Sequence, residues 1–373
     1  MMKKILAVAI ASAFAAPAFA ATSNVDVYGV INVGVESVDN GRATGLGNKT
    51  RVTTGNNAAL GFKGSEDLGG GLKANWQIET NVSIDGDNNA SAGTAAGALN
   101  GSRNVWGGLS GGWGEVRVGV HDTPYKMSTG RLDSFVATLG DYNTIMGAAS
   151  GVNASSAFDL RTSNTIAYIS PTMGGFQFAG AYVTSTEINA TAATDDSTAY
   201  SLSATFANGP LFLTAAYEKH KFDGGAATPS GGVILLPNGT VAANDRDAWK
   251  IGAGYKFGDL QLGAIYEKVD MGGVNNDHAN WMLGADYTIG AIKLKAAYNR
   301  AEETTSAAND GAKFWTIGAD YNFSKRTMLQ VTYADLNNDT GGNYILGQGT
   351  NNVPGNAAGA DADGFGINLV HRF

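Results

Sequence analysis

Residues 249–268, "WKIGAGYKFGDLQLGAIYEK", decide how this chain folds. Trp249, Ile251, Ala253 and Tyr255 alternate with Lys250, Gly252, Gly254 and Lys256, and after a short turn Leu260, Leu262, Ala264 and Tyr266 resume the alternation. A period of two puts each set on one face of a β-strand, whereas a helix would scatter it around the axis. The stretch recurs as "WMLGADYTIGAIKLKAAYNR" from Trp281 and "WTIGADYNFSKRTMLQVTYAD" from Trp315, with Met328, Gln330 and Thr332 one residue out of step in the last. Repeats of this length also occur in helical solenoids, but the strict alternation makes the unit a β-hairpin.

One face of these hairpins is apolar and aromatic at its ends; the other is small and polar, carrying Lys250, Asp286, Lys293, Lys295, Asn299 and Asp320. Alternation alone also suits a soluble sandwich. Aromatic placement separates the two. Trp249 marks one end of its strand, Tyr255 and Phe257 the other, and Tyr266 returns to the level of Trp249. The two levels lie about 20 Å apart for strands rising ~3.3 Å per residue at ~40° of tilt, which approaches the apolar band and twin aromatic girdles of outer-membrane barrels.

The same pattern predicts strands at 24–37, 57–66, 70–83, 102–111, 114–121, 161–170, 174–186, 197–207, 210–221, 246–257, 259–270, 279–289, 291–302, 312–323, 326–336 and 362–373. That is sixteen, an even number. Tight turns such as "EDLGGG", "SGGWG" and "ANGP" alternate with long polar connections at 84–101, 122–160, 187–196, 222–245 and 337–361. Outer-membrane barrels sort their loops in this way. The expected fold is therefore all-β: a closed antiparallel 16-stranded transmembrane barrel, 21–373, following a cleaved signal peptide at 1–20.

The signal is expected from "MMKK", an apolar run, and Ala18-Phe19-Ala20 before Ala21. Its removal takes Lys3 and Lys4 and moves the formal charge from -8 to -10. An acidic total speaks against a nucleic-acid partner. With 52 glycines, 7 prolines and only 16% charged residues, the composition favours strands and turns. No cysteine is present, so neither a disulfide framework nor a thiolate metal site is expected.

Lipid imposes closure. An unpaired N–H or C=O in hydrocarbon costs several kcal/mol, so the last strand, "GFGINLVHRF", must pair with the first. Val25, Val27, Gly29, Ile31 and Val33 are then expected to face lipid beside Phe365, Ile367 and Leu369.

At "VDVYGVINVGVE", "LGFKGSEDLGGGLKANWQIE", "GGWGEVRVGVHDTPY", "RTSNTIAYISPTMGGFQF", "GADYNFSKRTMLQVTYA" and the closing "HRF", the chain resembles the general diffusion porins of Gram-negative bacteria, the β-proteobacterial and neisserial type in particular. The resemblance implies a trimer in outer-membrane lipid, passing small hydrophilic solutes and ions. It also implies that Phe373 is read by the outer-membrane assembly machinery. Residues 84–101 are the candidate latch onto a neighbouring copy.

A barrel of sixteen strands encloses a wide water channel. The longest connection, 122–160, carries Leu132, Phe135, Leu139, Tyr142, Ile145, Met146 and Phe158 as apolar anchors. Its place after the fifth expected strand matches the third loop of these porins, which folds inward and narrows the bore. Asp133 and Asp141 on the loop are expected to oppose wall cations at Lys63, Lys73, Arg103 and Arg117, with Arg161 at the loop exit. Such opposition makes a transverse field that sorts ions. The family commonly has arginine where this chain has Ala59 and Val120, which weakens the positive side; Asp122, Asp133, Asp141 and Asp159 tilt the expectation toward cations.

Other classes lack their chemistry. Acyl transfer needs a base within reach of a nucleophile, and the four histidines of the sequence show no such pairing. No H-x-x-x-H spacing and no phosphate-loop ending appear, so no metal and no cofactor is expected. A substrate-specific channel for sugar, phosphate or another small anion is the alternative; the outward parity of most aromatics argues against a sugar slide.

Overall fold

The computed structural model describes residues 24–39, 49–53, 58–82, 99–147, 157–184, 198–221, 245–272, 277–304, 309–347 and 358–373. The expected signal segment, the connection at 187–196 and most of those at 84–101 and 222–245 lie outside the described residues.

One sheet holds the strand segments β1 (Asn24–Asp39), β2 (Lys49–Thr53), β3 (Ala59–Gly69), β4 (Leu72–Val82), β5 (Leu99–Gly111) and β6 (Gly114–Asp122). It continues through β7 (Arg161–Ile169), β8 (Phe176–Val183), β9 (Thr198–Asn208), β10 (Leu211–Lys221), β11 (Arg246–Phe257) and β12 (Leu260–Asp270). The last members are β13 (Asp277–Ile289), β14 (Ile292–Ala301), β15 (Ala312–Asn322), β16 (Thr327–Asn338) and β17 (Ala362–Arg372). Segment β2 pairs with residues 34–38 of β1 and β3 with residues 24–30, so the two form one interrupted barrel strand. The result is a closed antiparallel barrel of sixteen strands. The β2 piece, "KTRVT", was not expected, because it lacks an apolar parity to read.

Closure runs through ten register pairs between β1 and β17, from Val30 opposite Arg372 to Asp39 opposite Asp363. Beyond them Gly29 and Phe373 exchange two backbone hydrogen bonds, each 3.1 Å. Every rung of this seam satisfies backbone groups that lipid cannot.

Exposure is inverted relative to a water-soluble domain. Ile251, Leu283, Ile317 and Ile367 are about half exposed, while Lys250, Asn280, Thr316 and Asn368 on the opposite parity are buried. An apolar surface of this extent suits hydrocarbon and not water. In β16 the apolar parity belongs to Leu329, Val331 and Tyr333, which pair with Leu369, Ile367 and Phe365. The longer turn before β16 shifts the frame by one residue.

The repeated tryptophan and tyrosine meet across strands. Trp249 packs tilted against Tyr266 at 5.5 Å between ring centroids, Trp281 against Tyr298 at 5.2 Å, and Trp315 against Tyr333 at 5.3 Å. Such tilted pairs add about 0.5–1.5 kcal/mol each beyond their buried area. At the short-turn end Tyr255 packs on Phe257 and Tyr321 on Phe323. Strand β3 runs three residues further than expected because Gly69, Gly70 and Gly71 all hold positive φ, which lets the hairpin reverse tightly.

Candidate permeation site

The segment after β6 is built from local capping. Thr123 accepts from the Lys126 amide at 3.3 Å and Pro124 fills the first helical position, so a short helix α1 (Pro124–Thr129) starts there. Asp133 Oδ1 accepts from the Phe135 amide at 2.8 Å, and Asp141 caps a 3-10 turn at Tyr142–Thr144 by accepting from the Asn143 amide at 3.0 Å.

All seven expected apolar anchors of this segment are buried. They press on the polar parity of the strands, where glycines leave room. Leu132 sits against Gly252, Gly254, Gly263 and Gly284; a Cβ at Gly252 would come within 2.7 Å of its Cδ1. Phe135 lies on Gly318 in the same way, and Leu139 on Gly364 and Gly366. Polar contacts join Asn32 of β1 to the Ala137 carbonyl at 3.5 Å and Asn280 of β13 to the Ile145 carbonyl at 3.3 Å.

A buried ionic cluster holds the two ends of the segment. Asp159 is ion-paired with Lys250 and accepts from the Tyr142 hydroxyl at 2.9 Å. Glu267, the cross-strand partner of Lys250, accepts from the Tyr125 hydroxyl at 2.6 Å, the Gly147 amide at 2.8 Å and Asn280 Nδ2 at 2.9 Å.

Asp133 and Asp141 are not found facing the wall cations. Their carboxylates turn into the segment itself: Asp133 also accepts from the Tyr142 amide at 3.3 Å, and Asp141 from the Ala137 amide at 3.1 Å. Backbone amides that would otherwise be buried unpaired draw them in. Burial pushes the Asp141 carboxyl up to about 6. Burial, then the neighbouring Asp141 charge, raise Asp133 well above the usual carboxylate range.

The wall candidates cluster on the polar parity of β3 to β7. Arg103 is ion-paired through Nε with Glu79 and donates to Asn81 at 3.3 Å. Strict alternation from Trp106 would send Arg103 to the apolar face. The register of β4 and β5 slips between Ile78 opposite Val105 and Thr80 opposite Ser102, and this bulge turns it back. Arg117 pairs with Glu115 at 2.7 Å and lies over the Trp106 ring at 4.1 Å. Arg161 pairs with Asp122 at 3.1 Å and donates to Asn104 at 3.1 Å. Lys63 stands over the Tyr28 ring at 5.4 Å, and Lys73 is exposed opposite Asp67.

Sequence reasoning missed Tyr28, Glu79, Trp106, Glu115 and the Lys250–Glu267 pair as parts of this assembly. Tyr28 bonds Glu79 at 2.8 Å, Gln77 bonds Tyr28 at 2.7 Å, and Trp106 donates to Gln77 at 3.1 Å. A charged residue at the polar parity of a spanning strand was the available signal. The acid cluster that suggested cations is largely compensated, since Asp122 and Asp159 are both ion-paired. Among the described residues no cluster of His, Cys, Asp or Glu has metal-binding geometry.

Comparison with known proteins gives a consistent picture. The family model described as Gram-negative porin matches residues 7–341. The chain is 34% identical over 228 residues to the major outer membrane protein P.IB of Neisseria meningitidis serogroup B, covering 59% of this chain and 60% of that protein. It is 33% identical over 242 residues to outer membrane porin protein 32 of Delftia acidovorans, covering 63% and 65%. The match thus spans less than two thirds of these curated relatives. Among solved structures, an anion-selective porin from Comamonas acidovorans superposes with a TM-score of 0.75 at 28% identity, over 94% of this chain and 100% of that one.

Proposed function

This chain belongs to the Gram-negative porin family of the bacterial outer membrane, and from that premise we propose that it forms a water-filled channel for passive diffusion of small hydrophilic solutes and ions. The polar parity lines the bore, and the connection between β6 and β7, through its described residues 123–147 and 157–160, folds into it and sets its narrowest section. The observation that carries this reading is the seat of Leu132, Phe135 and Leu139 in glycine sockets on strands β11, β12, β13, β15 and β17. One segment reaches the polar face of so many strands of a closed barrel most simply from within.

Ion preference is weak. Arg103, Arg117 and Arg161 each stand beside a carboxylate, so their fields largely cancel a few ångströms into the water. Lys63 and Lys73 line the same wall, while Asp133 and Asp141, turned into the loop, act on the bore only at a distance. The anion-selective porin from Comamonas acidovorans shares the fold; the paired arginines here argue for a milder filter. No turnover and no cofactor enter the function. The active unit is a homotrimer, with 84–101 as its latch, delivered by the assembly machinery that reads Phe373.

Planar-bilayer recording and liposome swelling test the proposal. Ohmic single-channel steps, swelling that falls with sugar size, and a reversal potential near zero in a salt gradient are expected. Vesicles that stay tight to ions and sugars overturn it.

A further inference from the structure

We propose that Lys250 and Glu267 are positioning residues that set the channel's aperture by clamping both ends of the constriction segment. The inference deepens the reading that 122–160 narrows the bore and rests on it. Lys250 and Glu267 are cross-strand neighbours on β11 and β12, fully buried, and they divide the work. Lys250 holds the exit of the segment through Asp159, and its Nζ lies 4.0 Å from the ring centre of Tyr125 at the entry. Glu267 takes the Tyr125 hydroxyl at the entry with one oxygen and the Gly147 amide in the middle with the other.

Three points of one segment, far apart in sequence, therefore converge on two side chains. A buried ion pair left with one member is strongly unfavourable, whereas removal of both members is tolerated. Stranding one charge of this cluster is therefore costly, which favours the seated position of both ends of the segment. The apolar anchor Leu132 sits further along the same strands, at Gly252, Gly254 and Gly263, and Phe135 and Leu139 sit on β15 and β17; they keep the middle of the segment in place, so release at Lys250 and Glu267 widens the passage without detaching the whole segment.

Single-channel recording of Tyr125→Phe, Lys250→Met and the double variant Lys250→Met with Asp159→Asn tests this. Asparagine suits position 159, whose φ is positive at 61°. Loss of the Tyr125 hydroxyl should raise occupancy of a wider, noisier conductance level about tenfold or more, the equilibrium value of one hydrogen bond to a charged acceptor. Lys250→Met should do the same more strongly, and the double variant, which removes the stranded Asp159 charge but does not restore the hold on the exit, should fall between Lys250→Met and wild type. The thermal unfolding of the barrel should not move with Tyr125→Phe. Wild-type traces from both Tyr125→Phe and Lys250→Met overturn the clamp. A separate arm tests the underlying reading: the chain has no cysteine, so Val136→Cys, exposed on the segment, can be labelled with a bulky thiol reagent. Block of current supports a constriction there; labelling without block refutes the constriction itself, while block with unaltered clamp variants refutes only the positioning role.

Discussion

Arg103 and Glu79 form an ion pair across β4 and β5, with the Tyr28 hydroxyl 2.8 Å from the second carboxylate oxygen. The cation that resemblance marked as the filter's main positive group is thus half of a neutral unit. Its influence on a passing ion is that of a dipole, which falls off faster than a charge.

Breaking the pair from either side should move selectivity in opposite directions. Glu79→Gln leaves an uncompensated guanidinium and should shift the reversal potential toward anions; Arg103→Ala leaves a carboxylate and should shift it toward cations. A single charge acting at ~7 Å through water changes local ion occupancy by about threefold at low salt, and less as screening grows. Equal shifts of one sign in both variants would refute the pairing as the controlling feature.

Acid should weaken any cation preference. Burial lifts the folded Asp141 carboxyl to about 6, above its unfolded value. The folded state therefore holds that proton more tightly, and the associated stabilisation is present below the unfolded pKa and lost as pH rises through about 6. Charge follows the same sign: the loop gains negative charge on going from pH 5 to pH 7. Reversal potentials across that window should drift toward cations in the wild type and stay flatter in Asp141→Asn.

Leu132 should matter more for sieving than for barrel stability. Truncating a buried leucine to alanine commonly costs about 2–5 kcal/mol, here charged against docking of the segment onto Gly252, Gly254, Gly263 and Gly284. Leu132→Ala should admit larger sugars in liposome swelling while the barrel unfolds at its usual temperature. Gly252→Val should have the same permeation phenotype by filling the socket. An unchanged size cut-off in both sinks the socket as a determinant of aperture.

Phe373 separates two roles that its position combines. Its backbone exchanges two hydrogen bonds with Gly29, and its ring lies against Gly29. Phe373→Ala keeps the backbone bonds and should refold in detergent nearly as well as wild type, whereas deletion of the residue leaves the Gly29 N–H and C=O unpaired and should refold worse. In cells the proposed reading of the aromatic ring by the assembly machinery predicts that both variants reach the outer membrane poorly. Normal yield from Phe373→Ala in cells would remove that role.

The barrel was legible because its information is local. Trp249, Ile251, Ala253 and Tyr255 declare a strand and its lipid face within seven residues, and Trp281 and Trp315 repeat the declaration. Legibility failed where backbone regularity did. The bulge beside Arg103 and the broken strand at β2 each shift a register that period-two counting assumes constant. It failed again for Asp133 and Asp141, whose charges predicted partners on the wall but whose nearest donors are amides two to nine residues away in their own loop.

The sequence by itself determined an all-β barrel of sixteen strands, the lipid face of its repeated hairpins, the family, and the long segment proposed as the filter. The physical reason is that lipid and water select side chains one residue at a time, and alternation records the selection. Only the tertiary structure decided which carboxylate neutralises which arginine, where Leu132 is seated, and that Lys250 and Glu267 gather Tyr125, Gly147 and Asp159. Those contacts join residues up to 142 positions apart, and no local pattern encodes a partner at that range.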